Sequence, residues 1–139
     1  MSDLHCTCYR LRKAARQVTR IYDHHLAVTG LSANQQGILA ELARSGPLSM
    51  GRLSVLLGMD PSTLTRNLRP LKDSGLVEIV GASDKRTRQV RVSEAGEERL
   101  AATLEPWRMA EKAVVQALGQ RDAAILHDLL ARLARARAH

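Results

Sequence analysis

Two groups of side chains in this 139-residue chain have the types and spacing to do chemistry. The first is Cys6-Thr-Cys8, with the adjacent pair His24-His25 further on. Two thiolates can hold soft metals or metalloid thiophiles, and a reactive thiol can sense oxidants. On a helix, residues two apart point about 200° from each other, so Cys6 and Cys8 reach one ion only if the helix is not formed there. His24 and His25 likewise diverge, which argues against a shared metal. The second group is made of hydroxyls and cations: Ser62, Thr63, Thr65, Arg66 and Arg69, then Asp84, Lys85, Arg86 and Arg88. Arginine forks bond guanine edges or phosphates, and short hydroxyls reach either. The sequence has no glycine-rich phosphate loop, no paired carboxylates in an apolar frame, and neither CxxC nor HExxH. The chemistry expected is therefore binding without turnover, with no cofactor and no resident metal.

The second group needs a helix and a hairpin to present it, and Leu48–Val92 encodes both. A short helix is expected from Ser49, a capping residue, to Gly58. A second is capped by Asp60, begins with Pro61 and is closed by Gly75. Leu64, Leu68 and Leu71 recur at helical spacing and form its buried back. Ser62, Arg66 and Arg69 lie opposite, flanked by Thr63 and Thr65. Pro70 falls inside this helix and predicts a bend in its last turn. Leu76–Val80 and Arg88–Val92 then read as the strands of a hairpin, with Val90 and Val92 on one side. Gly81 to Thr87 forms its turn, and the tip carries Asp84, Lys85 and Arg86. Beside a helix-turn-helix, such a hairpin is a wing whose arginine suits a narrow minor groove. Asp84 stands close enough to Arg86 to orient its guanidinium.

DPSTLTRNLRPLKDSGLVE followed by SDKRTRQVRVSEAG resembles the MarR family of bacterial winged-helix regulators. The likeness includes the Asp-x-Arg of the wing, Asp84 to Arg86, and the Ser-x-x-Gly after the second strand, Ser93 to Gly96. It is most specific over residues 48–96. It implies a DNA-binding regulator built as a two-fold dimer, with an effector cleft between the dimer helices and the winged domain. Tyr22, His25 and Trp107 are the cleft candidates. Peroxide-sensing members are similar in their first helix, where a reactive Cys has one Tyr four residues on and another fourteen on. Cys8 and Tyr22 match, whereas Arg12 replaces the nearer Tyr. A large aromatic usual near Gln36 in such proteins is replaced by Gln36-Gly37.

The flanks read as helices: 3–28, then one from Ser32 with a capping box to Gln35, then 94–118 interrupted at Pro106, then 121–137. In the first, Leu4, Cys8, Leu11, Ala15, Val18, Tyr22 and His25 form a heptad seam that suggests helix packing between subunits. Cys8 on that seam can equally be a small buried residue. The other faces carry Arg10, Arg12, Lys13, Arg16 and Arg20, either solvated or aimed at acidic groups or DNA backbone. Ile38, Leu39, Leu42 and Ala43 form the inner stripe of the second helix. Leu100, Leu104, Trp107, Ala110 and Val114, then Ile125, Leu126, Leu129, Leu130 and Leu133, are broad stripes with little in the chain to cover them. The expected architecture is mainly α with a small β-hairpin wing. It divides into an N-terminal dimerisation helix (1–30), a winged helix-turn-helix domain (31–95) and C-terminal dimerisation helices (96–139).

Lysine and arginine number 21 against 14 acidic residues, a formal charge of +7. The excess favours a polyanion, nucleic acid before an anionic membrane. Aromatics are 2 % with no Phe, which argues against base-stacking on single strands or RNA. No run approaches the roughly 20 apolar residues of a membrane span. Residues 1–8 are polar, unlike a signal peptide, so a cytoplasmic location with reduced thiols is expected. The leading expectation is a homodimeric repressor on a pseudo-palindromic operator, relieved by a small molecule or by cysteine oxidation. The alternatives are a helical protein–protein module with a degenerate winged helix, or a thiol- or metal-sensing regulator using Cys6 and Cys8.

Overall fold

The computed structural model describes residues 6–81 and 88–137. Among these, α1 (Thr7–Leu26) runs into a 3-10 turn, Ala27–Thr29, and stops at Gly30 with φ 76°. Then come α2 (Ala33–Ser45), α3 (Met50–Leu57), α4 (Pro61–Asp73), β1 (Val77–Val80), β2 (Gln89–Val92), α5 (Glu94–Ala102), α6 (Leu104–Leu118) and α7 (Gln120–Ala134).

Local chemistry sets most of these boundaries. Ser32 and Gln35 form a reciprocal capping box at α2, satisfying two otherwise orphaned donors. Ser49 accepts from the Arg52 amide at α3, and Asp60 from the Thr63 amide at α4. At the end of α4, the Gly75 amide bonds the Lys72 carbonyl and the Leu76 amide bonds that of Leu71. With Gly75 at φ 74°, this is a Schellman stop that turns the chain directly into β1.

The core collects the inner faces of these elements: Ile38, Leu39 and Leu42 of α2, Leu53 of α3, Leu64, Leu68 and Leu71 of α4, and Leu76, Val77 and Val90 of the hairpin. Each buried leucine contributes about 2 kcal/mol by leaving water. Ala43 is not part of this stripe. It is exposed, while Glu41 is buried on the other flank of α2. The Glu41 carboxylate accepts from Arg44 and Ser45, and the Arg44 hydrogen bond is the main reason its pKa lies below the ordinary value.

The hairpin pairs Val77 with Val92 and Ile79 with Val90. Leu48 adds a bridge to Val90 through two backbone hydrogen bonds of 3.0 and 2.7 Å. The hairpin is thereby tied to the entry of α3. Buried Ser93 accepts from the Gly96 amide and donates to the Gly75 carbonyl. The start of α5 is thus fastened to the end of α4.

Three boundaries differ from expectation. Helix α1 begins at Thr7, leaving Cys6 as an extended N-cap that makes no side-chain cap. The predicted helix over 94–118 breaks at Thr103, not at Pro106. Proline fits a first helical turn, where its missing N–H has no helical acceptor, so the break falls before it. Helix α7 ends at Ala134 and not at residue 137.

Helix α1 packs along α6, and α7 against α6, with Leu26, Ala110 and Ala123 buried. The α1 seam is largely uncovered within one chain: Cys8, Leu11, Ala15 and Val18 are all exposed. Cys8 is thus not covered within one protomer. Ile125, Leu129, Leu130 and Leu133 of α7 are 41–49 % exposed.

Candidate nucleic-acid interface

Helix α4 presents Ser62, Thr65, Arg66 and Arg69 as exposed residues, with half-buried Thr63 beside them. Its leucine back is anchored in the core, so this face is held rigidly outward. Asp60 organises the first turn. Its carboxylate accepts from Ser62 Oγ (2.6 Å), the Thr63 amide (2.9 Å) and Thr63 Oγ1 (2.8 Å). These bonds, that from Ser62 foremost, hold the carboxyl well below the usual carboxylate range. Thr63 Oγ1 in turn accepts from Arg66 Nη2 at 3.2 Å. Asp60, Thr63 and Arg66 thus form a relay that restricts the arginine before any ligand arrives.

The hydroxyls expected to meet a partner are already donating within the chain. Besides Ser62 and Thr63, Thr65 Oγ1 donates to the Pro61 carbonyl at 2.9 Å. They therefore face outward chiefly as acceptors. Pro70 lies inside a continuous helix; it deprives the Arg66 carbonyl of its helical donor on the exposed side.

Two residues escaped the sequence reading. Lys72 joins Thr65, Arg69 and Met50 around a furrow of about 310 Å³ between α4 and β1. The spacing 65, 69, 72 is one helical face and could have found it. Asn67, half-buried on the same turn as Arg66, donates to the Thr63 carbonyl at 2.9 Å.

Arg88 is exposed at the base of the wing. Asp84, Lys85 and Arg86 lie outside the described residues. Across the hairpin, Arg91 pairs with Glu78 at 2.8 Å.

The effector candidates separate. Trp107 lines a cavity of about 560 Å³ between α2, α5 and the start of α6, with Gln36, Ala40, Arg44, Leu100 and Leu104. Tyr22 and His25 do not line it. Tyr22 instead donates to Glu111 at 2.7 Å, tying α1 to α6; burial first, then Glu111, pushes its pKa upward. His25 stacks edge-on with His24, ring centres 5.2 Å apart. Gln36 lines this cavity, whereas its neighbour Gly37 does not.

The free cysteines Cys6 and Cys8 border one groove, of about 430 Å³, with Tyr9, Arg12 and Arg16. Cys6 precedes the helix, so the condition under which both thiols can face one space, a helix not formed there, is met. Among the described residues, no group of three or more His, Cys, Asp or Glu could hold a metal ion.

A model of the MarR family matches residues 29–87. The transcriptional regulator MosR of M. tuberculosis, solved in complex with DNA, is 31 % identical and superposes with a TM-score of 0.74 over 95 % of this chain and 100 % of that one. The chain belongs to the MarR family. A probable transcriptional regulator from Pseudomonas aeruginosa is 27 % identical with a TM-score of 0.83, covering 93 % of this chain and 97 % of that one. An uncharacterized HTH-type transcriptional regulator of Bacillus subtilis, YwoH, is 24 % identical over 91 residues, 66 % of either chain. The winged helix and its membership make this MarR-family chain a DNA-binding transcriptional regulator and not an enzyme. No described helix is long and apolar enough to cross a membrane.

Proposed function

We propose that this MarR-family protein is a homodimeric, sequence-specific repressor that acts on double-stranded DNA in the cytoplasm. The observation that carries the reading is the outward face of α4: Arg66 and Arg69 exposed at helical spacing over a leucine back fixed in the core. Arginine in a major groove bonds guanine edges in a forked geometry, Ser62 and Thr65 add short contacts, and Thr63 serves the interface by holding Arg66. Asp84, Lys85, Arg86 and Arg88 then serve the adjacent minor groove and its phosphates.

The uncovered apolar faces of α1 and α7 supply the dimer contact. Two-fold pairing through them sets two copies of α4 toward successive major grooves, so the operator is an inverted repeat with half-sites about one helical turn, roughly 34 Å, apart. A protein–protein module with a degenerate wing has no use for this concentration of cations on α4 and the hairpin.

Release is assigned to a small molecule in the α2–α5–α6 cavity or to oxidation at Cys6 and Cys8. An effector in the cavity touches α5 through Glu97, Leu100 and Ala101. Ser93 fastens the start of α5 to Gly75 at the end of α4, so a tilt of α5 changes the separation of the two α4 helices. The effector acts only if it binds the tilted state more tightly.

The test is a gel shift on upstream DNA with wild type, Arg66→Ala and Arg86→Ala. The expected result is weakening of each variant by about 1–3 kcal/mol, with Arg66→Ala also relaxing sequence preference. Wild-type binding by both variants would remove the groove assignments.

A further inference from the structure

The chain passes twice between two bodies of the fold. Helices α1, α6 and α7 pack on one another, whereas α2, α3, α4 and the hairpin share the leucine core. The first crossing is the turn Ala27–Thr29 with Gly30, which leads into α2. The second is α5. Its start is seated against the end of α4 and the hairpin through Ser93 and Gly96. It ends at buried Thr103, whose hydroxyl donates to the Leu100 carbonyl at 2.6 Å. Both crossings contain a helix break, at Gly30 and at Thr103, and such element-terminal residues are where domains swing.

Arg99 joins the two crossings. Half-buried on α5, it donates from Nη1 to the Thr29 carbonyl at 3.0 Å, 70 positions away in sequence. That carbonyl stands at the end of the 3-10 turn, where it lacks a helical donor and the backbone dipoles favour a cation. Asp23 of α1 adds a local tie over the same turn, accepting from the Ala33 amide of α2 at 2.7 Å. Glu97, Leu100 and Ala101 of α5 line the Trp107 cavity. Arg99 lies roughly 150° round the helix from the middle of that set, so it faces away from the cavity.

We infer that Arg99 is a positioning residue for operator recognition. Its bond to Thr29 holds the winged body at one angle to the dimer helices and so fixes the half-site spacing that the protein accepts. The inference rests on the homodimer reading above. Each added base pair moves a half-site about 3.4 Å along the duplex and roughly 34° around it. A dimer follows such a shift only by swinging its winged bodies, and a swing at the Gly30 turn withdraws the carbonyl from Arg99. A charge-assisted hydrogen bond of this kind is worth roughly a tenfold change in an equilibrium. Wild type loses that bond on a mis-spaced operator, whereas a variant without the guanidinium has none to lose.

The test is selection from a random duplex pool by the full chain, reading the spacing between inverted half-sites among the enriched sequences. Wild type, Arg99→Met, Arg99→Ala and Arg99→Lys are run together. Fluorescence anisotropy then compares the enriched duplex with the same duplex carrying two inserted base pairs at its centre. Wild type is expected to enrich one spacing. Arg99→Met should keep the half-site sequence but spread over neighbouring spacings, and its preference for the uninterrupted duplex should fall roughly tenfold below that of wild type. Arg99→Lys, which keeps a charged donor for the single carbonyl, should hold most of the preference. A general loss of stability lowers binding to both duplexes and leaves their ratio unchanged. Circular dichroism checks helix content, and Arg99→Ala is read in place of Arg99→Met if the latter unfolds. One sharp spacing shared by wild type and the guanidinium-free variants would overturn the inference and leave the dimer standing. Enrichment of a lone half-site by wild type would remove the dimer reading and the inference with it.

Discussion

Thr63→Val isolates the relay that positions Arg66. The substitution keeps the shape of the side chain and leaves the helix cap in place, because Asp60 Oδ1 still accepts from the residue 63 amide at 2.9 Å. It removes the hydroxyl that donates to Asp60 (2.8 Å) and accepts from Arg66 (3.2 Å). An unrestrained arginine side chain loses roughly 2 kcal/mol of rotamer freedom when a ligand orders it. A solvent-exposed hydrogen bond pre-empts about a quarter to a half of that, because water competes for both partners. The expected cost is about 0.5–1 kcal/mol, a roughly two- to fivefold rise in Kd for the operator. Fluorescence anisotropy against the selected operator and a scrambled duplex of equal length reads it directly. The scrambled duplex should bind as before and the salt slope should not change, because no charge is lost. Thr63→Ser retains the hydroxyl and should behave like wild type. In an Arg66→Ala background, Thr63→Val should cost nothing further. An undiminished penalty in that background would mean that Thr63 acts on its own and not through Arg66, and the relay would be refuted.

Other expectations follow from packing and charge. A Cβ at Gly96 would meet the Leu76 carbonyl oxygen at 2.1 Å and Val92 Cγ2 at 2.7 Å, so Gly96→Ala should destabilise by about 3 kcal/mol in urea unfolding. Tyr22→Phe loses the 2.7 Å bond to Glu111 and should lower stability by about 1 kcal/mol with operator affinity retained. Glu41 has a depressed pKa in the fold, so its contribution is complete above the ordinary value of 4.5 and is lost as pH falls through the lower folded value. Glu41→Gln should therefore flatten the acid limb of the stability curve, measured by thermal melts between pH 2 and pH 6. Leu129→Asp with Leu133→Asp on the uncovered face of α7 should give monomers by light scattering and weaken operator binding, with unchanged helix content.

Much of this architecture is written locally and can be read from the chain. Ser32 with Gln35, Ser49, Asp60 with Pro61, and Gly58 punctuate helices through contacts of three or four residues. The leucines of α4 repeat at the helical period, so its buried and exposed faces follow at once. What escaped depends on contacts distant in sequence. The Leu48–Val90 bridge, the Tyr22–Glu111 bond and the hydrogen bond from Arg99 to the Thr29 carbonyl join segments whose proximity no local pattern reports. The cavity behind Trp107 is made by Gln36, Ala40 and Ala43 being small or flexible on the outer side of α2, which a helical wheel shows only as a weakly polar face. Whether Cys6 and Cys8 diverge depends on where α1 begins, and its start at Thr7 carries no side-chain cap that the sequence could signal. The relay through Thr63 was within reach, because Asp60, Thr63 and Arg66 are spaced at threes, but the reading treated Thr63 only as an outward contact.

The most direct measurement is selection and sequencing of DNA captured from a random duplex pool by the purified protein, with Arg66→Ala in parallel. Two α4 helices held in a two-fold dimer predict an inverted repeat whose half-sites lie about one helical turn apart. They also predict loss of a defined base preference within each half-site for the variant. A single unpaired motif, or a repeat that Arg66→Ala enriches just as strongly, would contradict the account.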